Sequence, residues 1–422
     1  MRRARPDDPN ALRAGPDWPP AVIAGAYQTG VLGMRSLSRR GVRVACFDGD
    51  RRFEGFRSVY GKGHVCPNPD TEPERWVEFM ARLAGAMGGK PALICSADQY
   101  VSAVSAHASR LTDHYILSPG TRVQGLLATK QTQYELAAGH GMPLPRTEVV
   151  SSVEEVAAFA GAADFPCVLK PIHFREWQRL APDNPLFDTK VAVARTPAEL
   201  AASWRLASEA NPSAIVQEII QGPDTSKRVY LSCYDARSRR LGNAMFRELR
   251  CVPVGFGPAS VTEPVLDPVA DDICDRFLRS IGYSGICEIE MKHDARDGRV
   301  KLIEANPRLS GSGDAAPYAG VDLCWLHYLD MIGMPVTPVA PSGRPFRHIV
   351  LRADLSAIIA YRRARLVSWR DVLRSYRPPL AFFDLDPRDW RNSIETIYRM
   401  VRSAVGTLVR GVLSSRSRVA RS

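Results

Sequence analysis

Along the first 125 residues, short apolar runs alternate with amphipathic stretches. Ala21-Val22-Ile23-Ala24 is a continuous apolar run closed by Gly25, the pattern of a buried strand. Val31 to Leu37 follows with helical spacing and is stopped by Gly41, and Val42 to Asp48 is a second strand. Pro91 to Cys95 is a third, with a helix expected from Gln99 to Ser109. Strand, helix and strand in that order predict a parallel βαβ unit, a Rossmann-like front. Gly25, Gly30 and Gly33 lack the spacing of a dinucleotide fingerprint, and no Lys-Ser or Lys-Thr pair follows to make a phosphate loop. This turn therefore reads as scaffold.

From residue 126 the pattern changes. Residues 126–146 read as a helix ending at Gly141-Met142-Pro143, and Ser151 to Ala160 as a second, with Ser152 and Glu155 as a capping box. Phe165 to Pro171 is a short buried strand stopped by proline, Thr196 to Ala210 a helix, and Ala214 to Ile220 a strand. Strands at 228–234 and 242–247 and a helix from Pro268 to Ile281 follow. Ile286–Lys292 and Val300–Ala305 form a hairpin across a turn containing Asp297-Gly298. Hairpins mixed with helices make this part α+β, behind an α/β front.

Composition adds bounds. At 422 residues the chain has room for two or three domains of roughly 100–200 residues each. With 45% apolar and 24% charged residues it is ordinary for a globular protein, and no run approaches the ~18 apolar residues of a membrane span. Residues 1–20 are rich in proline and charge, lack the apolar core of a secretory signal, and read as a flexible leader. The nine cysteines form no C-x-x-C pair, and several lie in apolar runs, which suits reduced, buried thiols and a cytoplasmic setting.

The net charge of +11 is not spread evenly. From Arg344 onward there are 17 Arg against 6 Asp and Glu, so the preceding body is neutral. A neutral body excludes a broad nucleic-acid surface. In the tail, apolar residues at 390, 394, 397, 401, 404, 405, 408 and 412 form a helical stripe flanked by Arg391, Arg399, Arg402 and Arg410. Docking of this stripe on the protein's own body is expected; an anionic membrane surface and self-association are the other occupants such a basic amphipathic helix could have.

The candidate chemistry lies on the hairpin. Strand alternation puts Glu288, Glu290 and Lys292 on one face, with Ile289 and Met291 opposite. On the partner strand Ile303 is expected to face the core, with Glu304 and Asn306 at the strand end and Arg308 two residues on. Carboxylates among Ile, Val and Leu are costly to bury unless something positive meets them. Mg²⁺ suits them, since it takes one or two carboxylates plus phosphate oxygens, and an Asn carbonyl adds a neutral oxygen. Arg308 could fork onto a phosphate. Only 8 of the 56 basic residues are Lys, so lysines at motif positions carry weight.

From about residue 126 to 335 the ordered set resembles the ATP-grasp superfamily of ligases. Lys130 precedes the first helix of the nucleotide domain, and Lys170 lies on a short strand. The segment Gln217-Glu218-Ile219-Ile220-Gln221-Gly222-Pro223-Asp224 matches the hinge, and Glu290 and Glu304, 14 residues apart, lead into Asn306 and Arg308. The resemblance implies that Lys130 and Lys170 contact phosphates and that Gln217 and Glu218 lie at adenine. It also gives Ile220 backbone groups for the base, has Asp224 accept from ribose, and makes Glu290, Glu304 and Asn306 hold Mg²⁺, with Mn²⁺ as the alternative metal. Within the superfamily the chain is similar to predicted ATP-dependent carboligases that include D-aspartate ligase-like enzymes. That likeness rests on Phe246-Arg247-Glu248-Leu249-Arg250-Cys251-Val252-Pro253 before Phe256-Gly257, and on Asp384-Leu385-Asp386-Pro387. It implies that Arg247, Arg250 and Arg308 approach the γ-phosphate or the substrate carboxylate.

The expected architecture is a leader (1–20), a Rossmann-like domain (21–125), a two-lobed ATP-grasp-like domain (126–340) and a basic helical C-terminal extension (341–422). The implied activity is an ATP-dependent ligase that phosphorylates a small-molecule carboxylate for attack by an amine. The other two readings are a bicarbonate-using carboxylase and a silent ATP-binding scaffold. The segment 171–190 departs from the superfamily, whose phosphate loop is Gly-rich: it has no Gly and carries His173, Trp177, Pro182 and Pro185. Three readings stand for it: a stiffer loop, one that folds over substrate, or a degenerated one, with Lys190 either reaching the phosphates or solvated at the start of a strand.

Overall fold

The computed structural model describes residues 12–172, 176–189 and 191–402. Four parallel strands form the first sheet: β1 (Ala21–Ala24), β2 (Val44–Asp48), β3 (Lys62–Val65) and β4 (Ala92–Cys95), in the order β3-β2-β1-β4. Parallel strands need cover on both faces. Ile23, Cys46 and Ile94 meet the helix Gln28–Ser38, while Val22, Phe47 and Leu93 meet the helices Pro73–Met87 and Asp98–Ala106. β3 escapes the sequence pattern, because an edge strand reading Lys-Gly-His-Val has no apolar run, whereas the helix Pro73–Met87 buries Trp76, Val77, Met80, Leu83 and Ala84 at helical spacing. The leader is not free from residue 12 on: Trp18 stacks on Trp325 at 6.0 Å between ring centroids.

The second sheet is antiparallel, with β5 (Thr147–Val150), β6 (Cys167–Pro171), β7 (Ala192–Ala194) and β8 (Ala214–Glu218) in the order β5-β8-β6-β7. Helices Val153–Ala162 and Pro197–Ser208 cover it, each started by a hydroxyl cap: Ser152 Oγ accepts from Glu155 N and Thr196 Oγ1 from Glu199 N, both at 3.2 Å. Trp177, Leu180 and Leu186 of the Gly-free segment are buried in the same core as Phe159, Leu169 and Val216. Its described part is therefore a packed piece of this lobe and not a flap. His173 and Lys190 lie outside the described residues.

The third sheet has seven strands: β9 (Lys227–Tyr234), β10 (Arg240–Cys251), β11 (Ala259–Pro264), β12 (Gly285–His293), β13 (Val300–Asn306), β14 (Arg347–Ile349) and β15 (Leu380–Phe382). Their order is β13-β12-β9-β10-β11-β14-β15. One face buries Tyr230, Met245, Ile289 and Met291 with Cys274 and Phe277 of the helix Pro268–Ser280. The other buries Val229, Leu231, Phe246 and Ile286 against the first sheet's helix and the helix Leu323–Met331.

The basic C-terminal segment does not stand apart as a helical extension, because it supplies β14 and β15. The helix Leu351–Arg363 brings Asp354, fully buried, to Arg250. Arg250 donates to both Asp354 oxygens at 2.9 and 2.8 Å, and Ser260 and Tyr376 hydroxyls donate at 2.7 and 2.5 Å.

The tail stripe is a second correction. Residues 390–402 are helical, but Trp390, Ile394, Ile397 and Val401 remain about half exposed. The helix docks by its polar side instead: Asn392 Nδ2 donates to the Glu54 carbonyl at 3.1 Å, and Ser393 Oγ accepts from Asp386 N at 2.9 Å. The reason is the surface it meets, which is a rim of carboxylates and main-chain acceptors. The stripe positions 404, 405, 408 and 412 lie outside the described residues. No described helix is long and apolar enough to cross a membrane.

Removing one partner of a buried, four-donor carboxylate strands a buried guanidinium. Asp354→Ala should therefore cost about 3–5 kcal/mol of stability, read as a shift of the denaturant unfolding curve; a shift of a few tenths would show that the C-terminal segment is not anchored this way.

Candidate active site

The site occupies one end of the inner face of the third sheet. Antiparallel register sets Glu290 opposite Glu304 and Glu288 opposite Asn306. The same register sets Lys292 opposite Lys227, whose Nζ donates to Glu248 on β10 at 3.0 Å. Farther along, this face turns apolar with Val229, Leu231 and Phe246. Half of it is thus core, and half is a polar floor of four carboxylates and two lysines.

A β-bulge shapes the end of β13. Glu290 pairs with Glu304 but Met291 pairs with Leu302, so Ile303 has no opposite residue. Leu302, fully buried, takes the core position expected of Ile303, which is half-buried. The displaced Ile303 carbonyl accepts from Tyr134 Oη at 2.9 Å. The helix Lys130–Gly139 fixes the strand end further: Gln133 accepts from Ala305 N at 3.0 Å and donates to Ala305 O at 2.5 Å.

The electrostatics show what the floor lacks. Burial raises the pKa of Glu290 well above the ordinary carboxylate range, and the charges of Glu288, Glu248 and Glu304 raise it further. Burial likewise raises Glu288, against the opposing pull of Arg308, and lifts Glu248 to about 7 despite Lys227. Glu288 Oε2, with Ser310 and Ser312 nearby, makes no hydrogen bond of good geometry. These carboxylates have too little positive charge around them. Oxygen donors without a thiol or imidazole fit a hard divalent cation such as Mg²⁺. No three acidic, His or Cys side chains among the described residues form a ready cage, consistent with a metal that completes its shell with phosphate oxygens.

Across from Glu304 stands Lys170. Its Nζ donates to Gln217 Oε1 at 2.6 Å and Tyr134 Oη at 3.3 Å, and it lies 5.8 Å from the Tyr134 ring centroid. Burial lowers its pKa to about 8, with Glu304 pulling the other way. Lys130 opens the helix that carries Tyr134, and its charge is felt at the Tyr134 hydroxyl together with that of Glu304. The Ile220 backbone makes no hydrogen bond among the described residues, so it is free to meet the edge of a base.

Other expected roles meet different surroundings. Gln217 steers Lys170 and donates to Thr147 at 2.8 Å. Glu218 is held by Arg296 at 3.1 Å and by Asp164 N at 2.9 Å, which ties the second sheet to the hairpin turn. Asp224 accepts from Tyr361 Oη at 2.5 Å and Gly255 N at 3.2 Å and lies 3.5 Å from Lys227 Nζ, so its oxygens are already matched. Asn306 bridges Glu288 and Arg308. Arg308 does not project freely, since it forks onto Asp98 of the first domain at 2.6 and 2.9 Å. Four of its five N–H groups are committed, the fourth to Leu309 O at 3.2 Å. His293 pairs with Asp267 at 2.6 Å.

Arg247 and Arg250 are not brought to the site. Arg247 is one residue out of phase with Glu248, points to the opposite face, and pairs with Glu263. Arg250 follows a bulge and is consumed by Asp354. Arg247 pairs with Glu263 and, past the bulge at Leu249, Arg250 pairs with Val261, which sets both arginines on the face away from Glu248. Residues the pattern missed are Tyr134, Gln133, Asp98, Lys227 and Glu248. The scarcity of lysine could have flagged Lys227, and alternation could then have paired it with Glu248. Nothing local marks Asp98, which meets Arg308 only through the packing of two domains.

No family model matches the sequence. The chain is 27% identical to D-aspartate ligase of Enterococcus faecium (strain Aus0004) over 277 residues, 61% of this chain and 63% of that protein. It is 26% identical to D-alanine–D-alanine ligase of Stutzerimonas stutzeri (strain A1501) over 193 residues, 43% of this chain and 54% of that one. The chain thus spans less than two thirds of the length of each of these relatives. Among solved structures, the ADP complex of N5-carboxyaminoimidazole ribonucleotide synthetase superposes with a TM-score of 0.61 at 15% identity, covering 82% of this chain and 86% of that one. The fold is that of the ATP-grasp superfamily. The sequence is similar to those of a D-aspartate ligase and of D-alanine–D-alanine ligases.

Lys170 should titrate near pH 8 in the nucleotide-free protein, measurable by NMR of its ε-position. Removing the neighbouring negative charge by Glu304→Gln should lower that value further; a rise, or an ordinary lysine value in the wild type, would contradict the arrangement.

Proposed function

We propose that this protein is an ATP-dependent ligase that joins a carboxylate to an amine through an acyl phosphate. The observation that carries the reading is the pair of opposed, half-buried carboxylates Glu290 and Glu304 facing a lysine on the second sheet. Similarity to two amide-forming ligases supports it and favours it over carboxylation.

Lys170 meets the phosphates from the second sheet and Lys130 from the start of the helix that braces β13, and the free backbone of Ile220 meets the base. Glu290, Glu304 and Asn306 would hold Mg²⁺, which when bound neutralises phosphate charge and orients the oxygens. The substrate carboxylate oxygen attacks the γ-phosphorus and ADP leaves. The amine then attacks the acyl carbon, phosphate departs, and the nitrogen loses a proton. The chain's work is placement and charge compensation. Arg308, braced by Asp98, presents one uncommitted N–H where the strand end meets the first domain. Asp224, already matched, serves as a brace between the hinge and the C-terminal helix.

Incubation with Mg-ATP and pooled amino acids should release ADP and phosphate only when an acceptor is present; release of AMP would refute the acyl-phosphate route. Glu304→Gln should leave the fold intact and weaken Mg-ATP binding by at least about 100-fold, as measured by titration calorimetry. Unchanged affinity would remove Glu304 from the metal site.

A further inference from the structure

A cleft with a free volume of about 50 Å³ lies between the start of the helix Gln28–Ser38 and the C-terminal segment that follows β15. Val31, Leu32 and Phe383 form its apolar wall. We propose that it binds a primary ammonium group on a small organic molecule. The ammonium recognition does not rest on the ligase reading.

Four buried acceptors on residues lining this cleft take no hydrogen bond among the described residues: Gln28 Oε1, Glu54 Oε2, Asn392 Oδ1 and Asp384 Oδ1, of which the last faces Arg352 Nε at 3.3 Å. Gln28 is 7% exposed. The amide orientations are fixed by what their nitrogens do. Gln28 Nε2 donates to Glu54 Oε1 at 3.2 Å. Asn392 Nδ2 donates to the Glu54 carbonyl at 3.1 Å and Asp389 Oδ2 at 2.9 Å. Flipping either amide would put an oxygen against an oxygen. Buried acceptors left unmatched are costly, so their convergence calls for a donor-only group.

The charges point the same way. Arg35 and Arg39 at the cleft's edge are answered by Asp314 and Asp386, and Asp384 by Arg352 at 3.3 Å. Neither Glu54 nor Asp389, whose donors are the neutral Ser58, Val59 N and Asn392, has an ion pair among the described residues, so the cleft is short of positive charge. A primary ammonium carries a positive charge and three N–H donors with no acceptor, one for each open oxygen that Arg352 does not face. The volume admits a head group and a short carbon chain along the apolar wall.

The test uses the full chain and n-propylammonium chloride, followed by saturation-transfer NMR. Tetramethylammonium, with the same charge and no N–H, is the control. Saturable binding of propylammonium alone is expected. The double variant Gln28→Leu with Asn392→Leu, and separately Glu54→Gln, should weaken it about tenfold or more with Mg-ATP binding unchanged. Three results overturn the proposal: equal binding of tetramethylammonium, unchanged affinity in both variants, and competition showing a divalent-cation site instead. No saturable binding also overturns it, as when Arg57, whose Nε and Nη2 are open, closes onto Glu54. Failure of wild-type Mg-ATP binding would refute the ligase reading and leave the propylammonium result standing, so the two are separable.

Discussion

Two carboxylates placed side by side in a sheet interior are the constraint on which this structure turns. Glu290 and Glu304 are cross-strand neighbours, and burial together with the charges of Glu288, Glu248 and Glu304 disfavours ionisation of Glu290. Like charges repel more strongly where protein replaces much of the surrounding water. The surrounding architecture supplies cations from several directions. Lys170 comes from the second sheet, Lys227 and Lys292 from the same face, and Arg308 is bridged in through Asn306. What is still lacking is the charge a metal and its nucleotide would bring.

The same sheet face does two jobs because its polarity changes along the strands. Toward Ile286 and Phe246 it is core, welded to the first domain through the helix Gln28–Ser38. Toward Lys227 and Glu304 it is a site floor. A shared rigid face sets the distance between the first domain and the floor, so Asp98 can reach Arg308. The C-terminal segment stiffens the opposite edge through Asp354 and Arg250, and it reaches the hinge through Tyr361 and Asp224. Floor, hinge and C-terminal helix are therefore mechanically connected.

Much of the site was legible because its chemistry is written in strands. Period-two alternation put Glu288, Glu290 and Lys292 on one face, and the register confirms that grouping. Lys170 and Glu304 were found by order and spacing. The bulge at Ile303 was not legible, since an extra residue leaves no local sign and inverts the inward and outward assignment beyond it. Arg247 and Arg250 fall on the face away from Glu248 through alternation and a second bulge, at Leu249, which is equally unmarked in the sequence. The tail stripe was correctly helical over residues 390–402, but which side it docks by depended on a surface made by distant residues.

By itself the sequence determined the α/β front, the α+β middle and the hairpin with its paired acids. Those properties follow from local periodicity and from the cost of burying charge. Only the tertiary structure decided how each group is spent. Arg308 braces against Asp98, Arg250 anchors the C-terminal segment, Asp224 is matched by Tyr361, and the Gly-free segment is folded into a core. A side chain's partner across a domain boundary is set by packing of surfaces far apart in the chain, and no local pattern encodes that distance.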